Sequence, residues 1–143
     1  MPVATARRLA ATRAGRLLVQ FGKFGLVGIA GLGVDVAVLA LMMTGAGFGP
    51  YSGRGVSFLV SATATWALNR SFTFRGNHEG GVLRQWAKFI AANSLGGAIN
   101  YLTYAALIAG TATVAAHPFL GVAAGSIAGM FFNFAASKKL VFR

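Results

Sequence analysis

The sequence predicts an all-α integral membrane protein: four transmembrane helices arranged as two helical hairpins in parallel repeat. Three observations predict it. The 143 residues are 56% hydrophobic and only 10% charged, whereas soluble domains carry about 25% charged residues, so the charges are too few to coat a water-facing surface. Four apolar stretches approach the ~20 residues that cross a bilayer. The chain also repeats itself. Gln20-Phe21-Gly22-Lys23-Phe24 returns as Gln85-Trp86-Ala87-Lys88-Phe89, 65 positions later, and Asn69-Arg70-Ser71-Phe72-Thr73-Phe74-Arg75 returns as Ser137-Lys138-Lys139-Leu140-Val141-Phe142-Arg143, 68 positions later. A repeat of this size sets the architecture before any single residue does.

A basic arm occupies residues 1–20, with Arg7, Arg8, Arg13 and Arg16. Its thin apolar face, Leu9, Leu17 and Val19, is consistent with a short amphipathic helix on the bilayer surface. The four spans fall at about 24–43, 51–68, 87–109 and 118–136. The first is too long for a cleaved signal peptide and lacks its flanks. Repeat one covers 20–75 and repeat two 85–143, together a four-helix domain over 21–143. The loops at 45–50 and 110–117 are short and almost uncharged, and His78 and Glu79 among Gly76, Gly80 and Gly81 read as a solvated turn.

Basic residues set the orientation. Of the 13 Lys and Arg, all but Arg54 lie in the arm, in the middle loop and its borders, or at the C-terminus. The positive-inside rule then puts both termini and the middle loop in the cytoplasm. The net charge of +11 does not imply nucleic acid, because these cations flank spans, where topology and anionic lipid headgroups account for them. Arg7-Arg8 reads as a topology determinant rather than a twin-arginine signal. There is no cysteine, and His78 and His117 lie in different loops, so neither metal nor other cofactor is expected. With no paired carboxylates and no nucleophile-base constellation, the chain is not expected to be an enzyme.

The two halves share polar stripes. Gly53, Ser57, Ser61, Thr65 and Asn69 recur every four residues in the second span. Gly121, Gly125, Gly129, Asn133 and Ser137 do so in the fourth, each 68 positions on. Such spacing puts each set on one face, where small residues let helices approach closely and amides bond across the contact. The functional alternative is that Asn69 and Asn133 line a cavity open to the cytoplasm. The odd-numbered spans carry Gly28, Gly31 and Asp35, then Asn93, Gly96 and Asn100. A carboxylate within a span needs a partner or water, and Arg54 is the candidate. Asp35 then serves either a structural ion pair or transport, as a proton-coupling group or an acceptor from sugar hydroxyls.

The basic-aromatic ends of the second and fourth spans fit an interfacial belt. They equally fit a phosphate site, with Asn69, Arg70, Lys138 and Lys139 joined by Lys23 and Lys88 in a ring at the cytoplasmic mouth, Arg forking onto phosphate oxygens and Lys acting as a point charge. Trp66 could stack on a sugar face, although membrane aromatics are more often belt or packing residues.

Lys23-Phe24-Gly25-Leu26-Val27-Gly28 with Asp35 beyond it, the Asn-Arg-Ser-Phe-Thr-Phe element at 69–74, Lys88-Phe89 through Asn100, and the terminal Lys-Lys-Leu-Val-Phe resemble the GtrA-like family over about residues 20–143. The resemblance implies a bacterial inner-membrane protein of cell-surface polysaccharide synthesis that flips a polyprenyl-phosphate-linked monosaccharide, which a membrane glycosyltransferase then uses. It is expected to meet anionic lipids and to form a homo-oligomer, since four short helices enclose little volume. The alternatives are a scaffold that recruits a glycosyltransferase without transport, and a small multidrug-type exporter, against which the one-sided distribution of cations argues.

Overall fold

In a computed structural model, residue 8, residues 11–76 and residues 80–142 are described, and among them there is no strand. Helix α1 spans Arg13–Thr44, 32 residues. Thr12 caps it, its Oγ1 accepting from the Gly15 amide at 2.9 Å, which satisfies one of the orphan donors of the first turn. No proline interrupts the sequence between Arg13 and Thr44, so from Arg13 onward the basic arm forms the opening turns of α1. The short surface helix expected of the arm falls partly on residues outside those described. Arg7 and Leu9 lie outside the described residues.

Helix α2, Pro50–Leu68, begins on a proline, whose fixed φ and missing N–H suit the first helical position. It runs without a break into a π-turn, Asn69–Thr73. Helix α3 is Val82–Gly110 and starts several residues before the expected span, taking in Arg84 and Gln85. Part of the loop expected at 110–117 is a short helix, α4, Ala112–Ala116. Helix α5, Pro118–Ala136, also starts on proline and ends in a second π-turn, Ser137–Val141. His78, Glu79 and Arg143 fall outside the described residues.

The chain divides into two compact units, Met1–His78 and Glu79–Arg143. In the first, α1 packs on α2 and its π-turn; in the second, α3 packs on α4, α5 and the other π-turn. The stripes form the seam in both. In the first unit Ser61 donates to the Gly31 carbonyl at 2.7 Å, and a Cβ on Gly31 would collide with the Thr65 methyl. In the second, Gly129 replaces that serine, and a Cβ there would stand 2.9 Å from the Gly96 carbonyl oxygen. A Cβ on Gly96 would collide with Asn133, the residue equivalent to Thr65. Equivalent positions therefore make equivalent contacts, through a hydroxyl bond in one unit and backbone proximity in the other.

Away from the seam, the α1 face bearing Leu26, Ile29, Leu32 and Val36 is 60–70% exposed. A soluble monomer rarely shows so continuous an apolar face. Among the described residues, α1 alone is long and apolar enough to cross a membrane on those two measures, with mean hydropathy 2.3 over its most apolar 18 residues. The glycines, hydroxyls and amides that build the seams dilute the hydropathy of α2 and α3.

Candidate functional site

The two π-turns present most of the predicted cations. In each, one extra residue enters the helical turn, so that the Phe74 amide reaches the Asn69 carbonyl and the Phe142 amide reaches the Ser137 carbonyl, both at 2.8 Å. Widened turns of this kind recur at functional positions. The extra residue turns one set of side chains inward. Phe74 and Phe142 are 0% and 1% exposed, and each meets a phenylalanine of the facing helix edge-on: Phe24–Phe74 at 6.2 Å and Phe89–Phe142 at 6.0 Å between ring centroids. Edge-to-face pairs put positive ring edges against negative faces. This aromatic latch holds the end of each hairpin closed, and the sequence reading missed it. The repeat itself carried the signal, because all four phenylalanines fall at equivalent positions.

With the latch inside, Lys88 and Lys139 are exposed and Lys23, Arg70 and Lys138 are half-buried. In the first unit Lys23 of α1 lies with its Nζ 4.7 Å from the centroid of the Phe72 ring, beside the turn that carries Arg70. The Arg70 guanidinium stands 5.9 Å from the Trp66 ring centroid, a cation–π geometry. Trp66, a candidate for sugar stacking, thus lies against the arginine. In the second unit Lys88 Nζ approaches the Leu140 carbonyl at 3.5 Å, on the turn that carries Lys138 and Lys139. Gln85, 2% exposed, donates to the Val141 carbonyl at 3.4 Å and ties α3 to that turn. Asn69 is corrected as a direct phosphate ligand: it is 2% exposed, and its Oδ1 accepts from Thr73 Oγ1 at 2.7 Å. It shapes the turn from within, as the last member of the four-residue stripe that builds the seam.

The polar stripe divides into distinct cases. Asp35 Oδ2 accepts from Arg54 Nη1 at 2.5 Å, with Asp35 15% and Arg54 57% exposed. This is the ion pair expected between the first two long helices. Asn93 spends its amide on its own helix, donating to the Phe89 carbonyl at 3.1 Å. Asn100 lies against Gly125 of α5. Four buried polar atoms have no hydrogen-bond partner among the described residues: Asp35 Oδ1, Trp66 Nε1, Asn133 Oδ1 and Ser137 Oγ. All four belong to residues the sequence singled out. Leaving a buried polar atom unsatisfied costs about 1–3 kcal/mol, so each of these positions has hydrogen-bonding capacity to offer a polar ligand.

The pair also makes a stability prediction. Asp35→Asn leaves the Arg54 cation without its counter-ion and lowers Tm by about 5 °C. The double variant D35N/R54V gives the first unit the side chains the second carries at Asn100 and Val122, and thermal unfolding in detergent finds it close to wild type. A double variant no better than D35N would contradict a pairwise interaction.

A family described as GtrA/DPMS, transmembrane domain, matches residues 23–142. The chain belongs to this GtrA/DPMS family. Its match begins at Lys23 and ends at Phe142, so it takes in both π-turns, both latches and the Asp35–Arg54 pair, and leaves out the basic arm. No curated protein matches the chain. Membership makes it a membrane protein and ties it to membrane glycosylation. The apolar α1 and its exposed face accord with that setting.

Proposed function

We propose that this GtrA/DPMS-family protein translocates a polyprenyl-phosphate-linked monosaccharide across the bacterial inner membrane, supplying a membrane glycosyltransferase on the far side. The observation that carries the reading is the pair of cationic π-turns: Arg70 with Lys23 nearby in one unit, Lys138 and Lys139 with Lys88 nearby in the other. A lipid phosphate supplies the counter-charge that such clusters favour. All four long helices cross the membrane in this reading, as two parallel hairpins with both termini and the π-turns in the cytoplasm, following the distribution of cations. Residues 21–143 then form the transmembrane domain, with repeats at 20–75 and 85–143, and copies of the chain assemble as a homo-oligomer.

No bond is made or broken in this reading, and the protein acts as a carrier rather than an enzyme. The phosphate binds first at the basic ends. The sugar then exchanges hydrogen bonds with water for bonds to polar groups at membrane depth, where Asp35 Oδ1 and Asn133 Oδ1 are buried acceptors without partners among the described residues. Sugar hydroxyls are donors that match such acceptors. The test is transfer of labelled lipid-linked sugar in proteoliposomes. Arg70→Ala is expected to lower the rate about tenfold or more, because a forked charge-assisted contact is lost, and D35N/R54V to lower it while leaving the fold intact. Unchanged transfer in both variants would overturn the mechanism.

A further inference from the structure

The two units differ beside their seams. In the second unit a groove of about 350 Å³ runs between α3 and α5, lined by Lys88, Ala91, Ala92, Leu95, Phe132, Ala136 and Leu140. Lys88 and Leu140 stand at its π-turn end. The three alanines form its middle, and Leu95 and Phe132 close the far end. The seven helical rises of α3 from Lys88 to Leu95 give it a length of about 10 Å. The repeat supplies an internal comparison. At the positions of Ala91, Ala92, Ala136 and Leu140 the first unit carries Leu26, Val27, Leu68 and Phe72. There the bulk lies in the middle, and Lys23 meets the Phe72 ring. The larger side chains at the far end of the groove, Leu95 and Phe132, have Ala30 and Ala64 as counterparts. The second unit thus has small residues where the first is filled, and a wall where the first is small.

A groove that is apolar along its length and cationic at one end matches a hydrocarbon chain with an anionic head. We infer that it docks the phosphate-proximal stretch of the polyprenyl chain, with the phosphate at Lys88 and the π-turn cations beside it. This rests on the proposed translocation of a polyprenyl phosphate and deepens it: the chain has a seat on the second unit rather than lying free in the bilayer. Desolvation does not select the chain here, since lipid is equally apolar. Selection comes from packing against the alanine floor together with the fixed position of the charge.

The test is native mass spectrometry of the detergent-solubilised protein offered equimolar undecaprenyl phosphate and phosphatidylglycerol. The wild type is expected to retain the polyprenyl phosphate in preference. Ala91→Trp fills the groove from an exposed position and should cut retention about tenfold, some 1.4 kcal/mol of affinity. Ala91→Leu, which installs the side chain the first unit already folds with, should reduce it less. Leu26→Trp, the same place in the first unit, should leave it unchanged. If Lys88→Ala loses the lipid while both Ala91 variants retain it as wild type does, the groove is overturned and the phosphate reading stands. If Lys88→Ala also binds as wild type does, the phosphate role of Lys88 falls as well. If phosphatidylglycerol is retained equally and displaced equally by Ala91→Trp, the groove takes acyl chains in general and the prenyl assignment is overturned.

Discussion

Replacing Phe142 with alanine is expected to lower the free energy of unfolding by about 3 kcal/mol, and Phe74→Ala by a similar amount. Each ring is almost wholly buried and is the inner half of an edge-to-face pair that fastens a π-turn to the facing helix. Removing it leaves a cavity that the partner phenylalanine fills only in part, and the π-turn loses the contact that decides which side chains face inward. Arg70 or Lys138 then loses its fixed position, so transfer should fall along with stability. Phe72→Ala is the control. Phe72 is 46% exposed, and its loss removes only a contact with Lys23, so stability should change by about 0.5 kcal/mol or less. Denaturation in mixed micelles, followed by helical circular dichroism, separates these outcomes. Equal effects of Phe72→Ala and Phe142→Ala would remove the latch from the account.

The second large effect is expected at Gly125. A Cβ there would stand 2.5 Å from the Asn100 carbonyl oxygen and 2.5 Å from its Oδ1. The carbonyl belongs to the backbone of α3 and yields only if the two helices separate. Gly125→Ala should therefore destabilise by about 1–3 kcal/mol through overpacking, and loosen every contact along the seam from Gly121 to Asn133. Gly97→Ala has the opposite expectation. Nothing lies within 4 Å of a Cβ at Gly97, and alanine is favoured over glycine within a helix by about 0.8–1.0 kcal/mol, so the variant should match or exceed wild type. The same denaturation series tests both. A destabilised Gly97→Ala with an unaffected Gly125→Ala would mean that α3 and α5 meet on another face.

The seams were legible in the sequence because each is made by small or hydroxyl residues at four-residue spacing, and because the repeat displays the pattern twice. That Gly31 meets Ser61 and Thr65, and Gly96 meets Gly129 and Asn133, is set by the packing, since spacing marks a face but not its partner. The Asp35–Arg54 pair was legible for another reason: a carboxylate within an apolar stretch has few places to find a cation. The π-turns were not legible. Helical periodicity assumes 3.6 residues per turn, and a single extra residue rotates everything that follows. Read without it, Phe74 becomes a belt residue; with it, Phe74 turns inward, whereas Asn69 lies inward already as the end of the four-residue stripe. The sequence offered Trp66 a belt, packing or sugar-stacking role, and it did not show that the Arg70 guanidinium stands over its ring. The groove beside Lys88 was hidden because alanine carries no signal of its own. It becomes visible against Leu26, Val27 and Leu68 in the other repeat.

The central claim is that this chain itself moves a lipid-linked sugar, with its phosphate drawn to the cationic π-turns. The most direct measurement reconstitutes the purified protein alone into liposomes with a labelled polyprenyl-phosphate monosaccharide in one leaflet, and follows its appearance in the other with a membrane-impermeant reagent. The account predicts transfer well above protein-free liposomes, slowed by Arg70→Ala and by Lys138→Ala. Transfer no faster than in protein-free liposomes, with a glycosyltransferase recovered in complex with the same preparation, would contradict it and make the chain a scaffold.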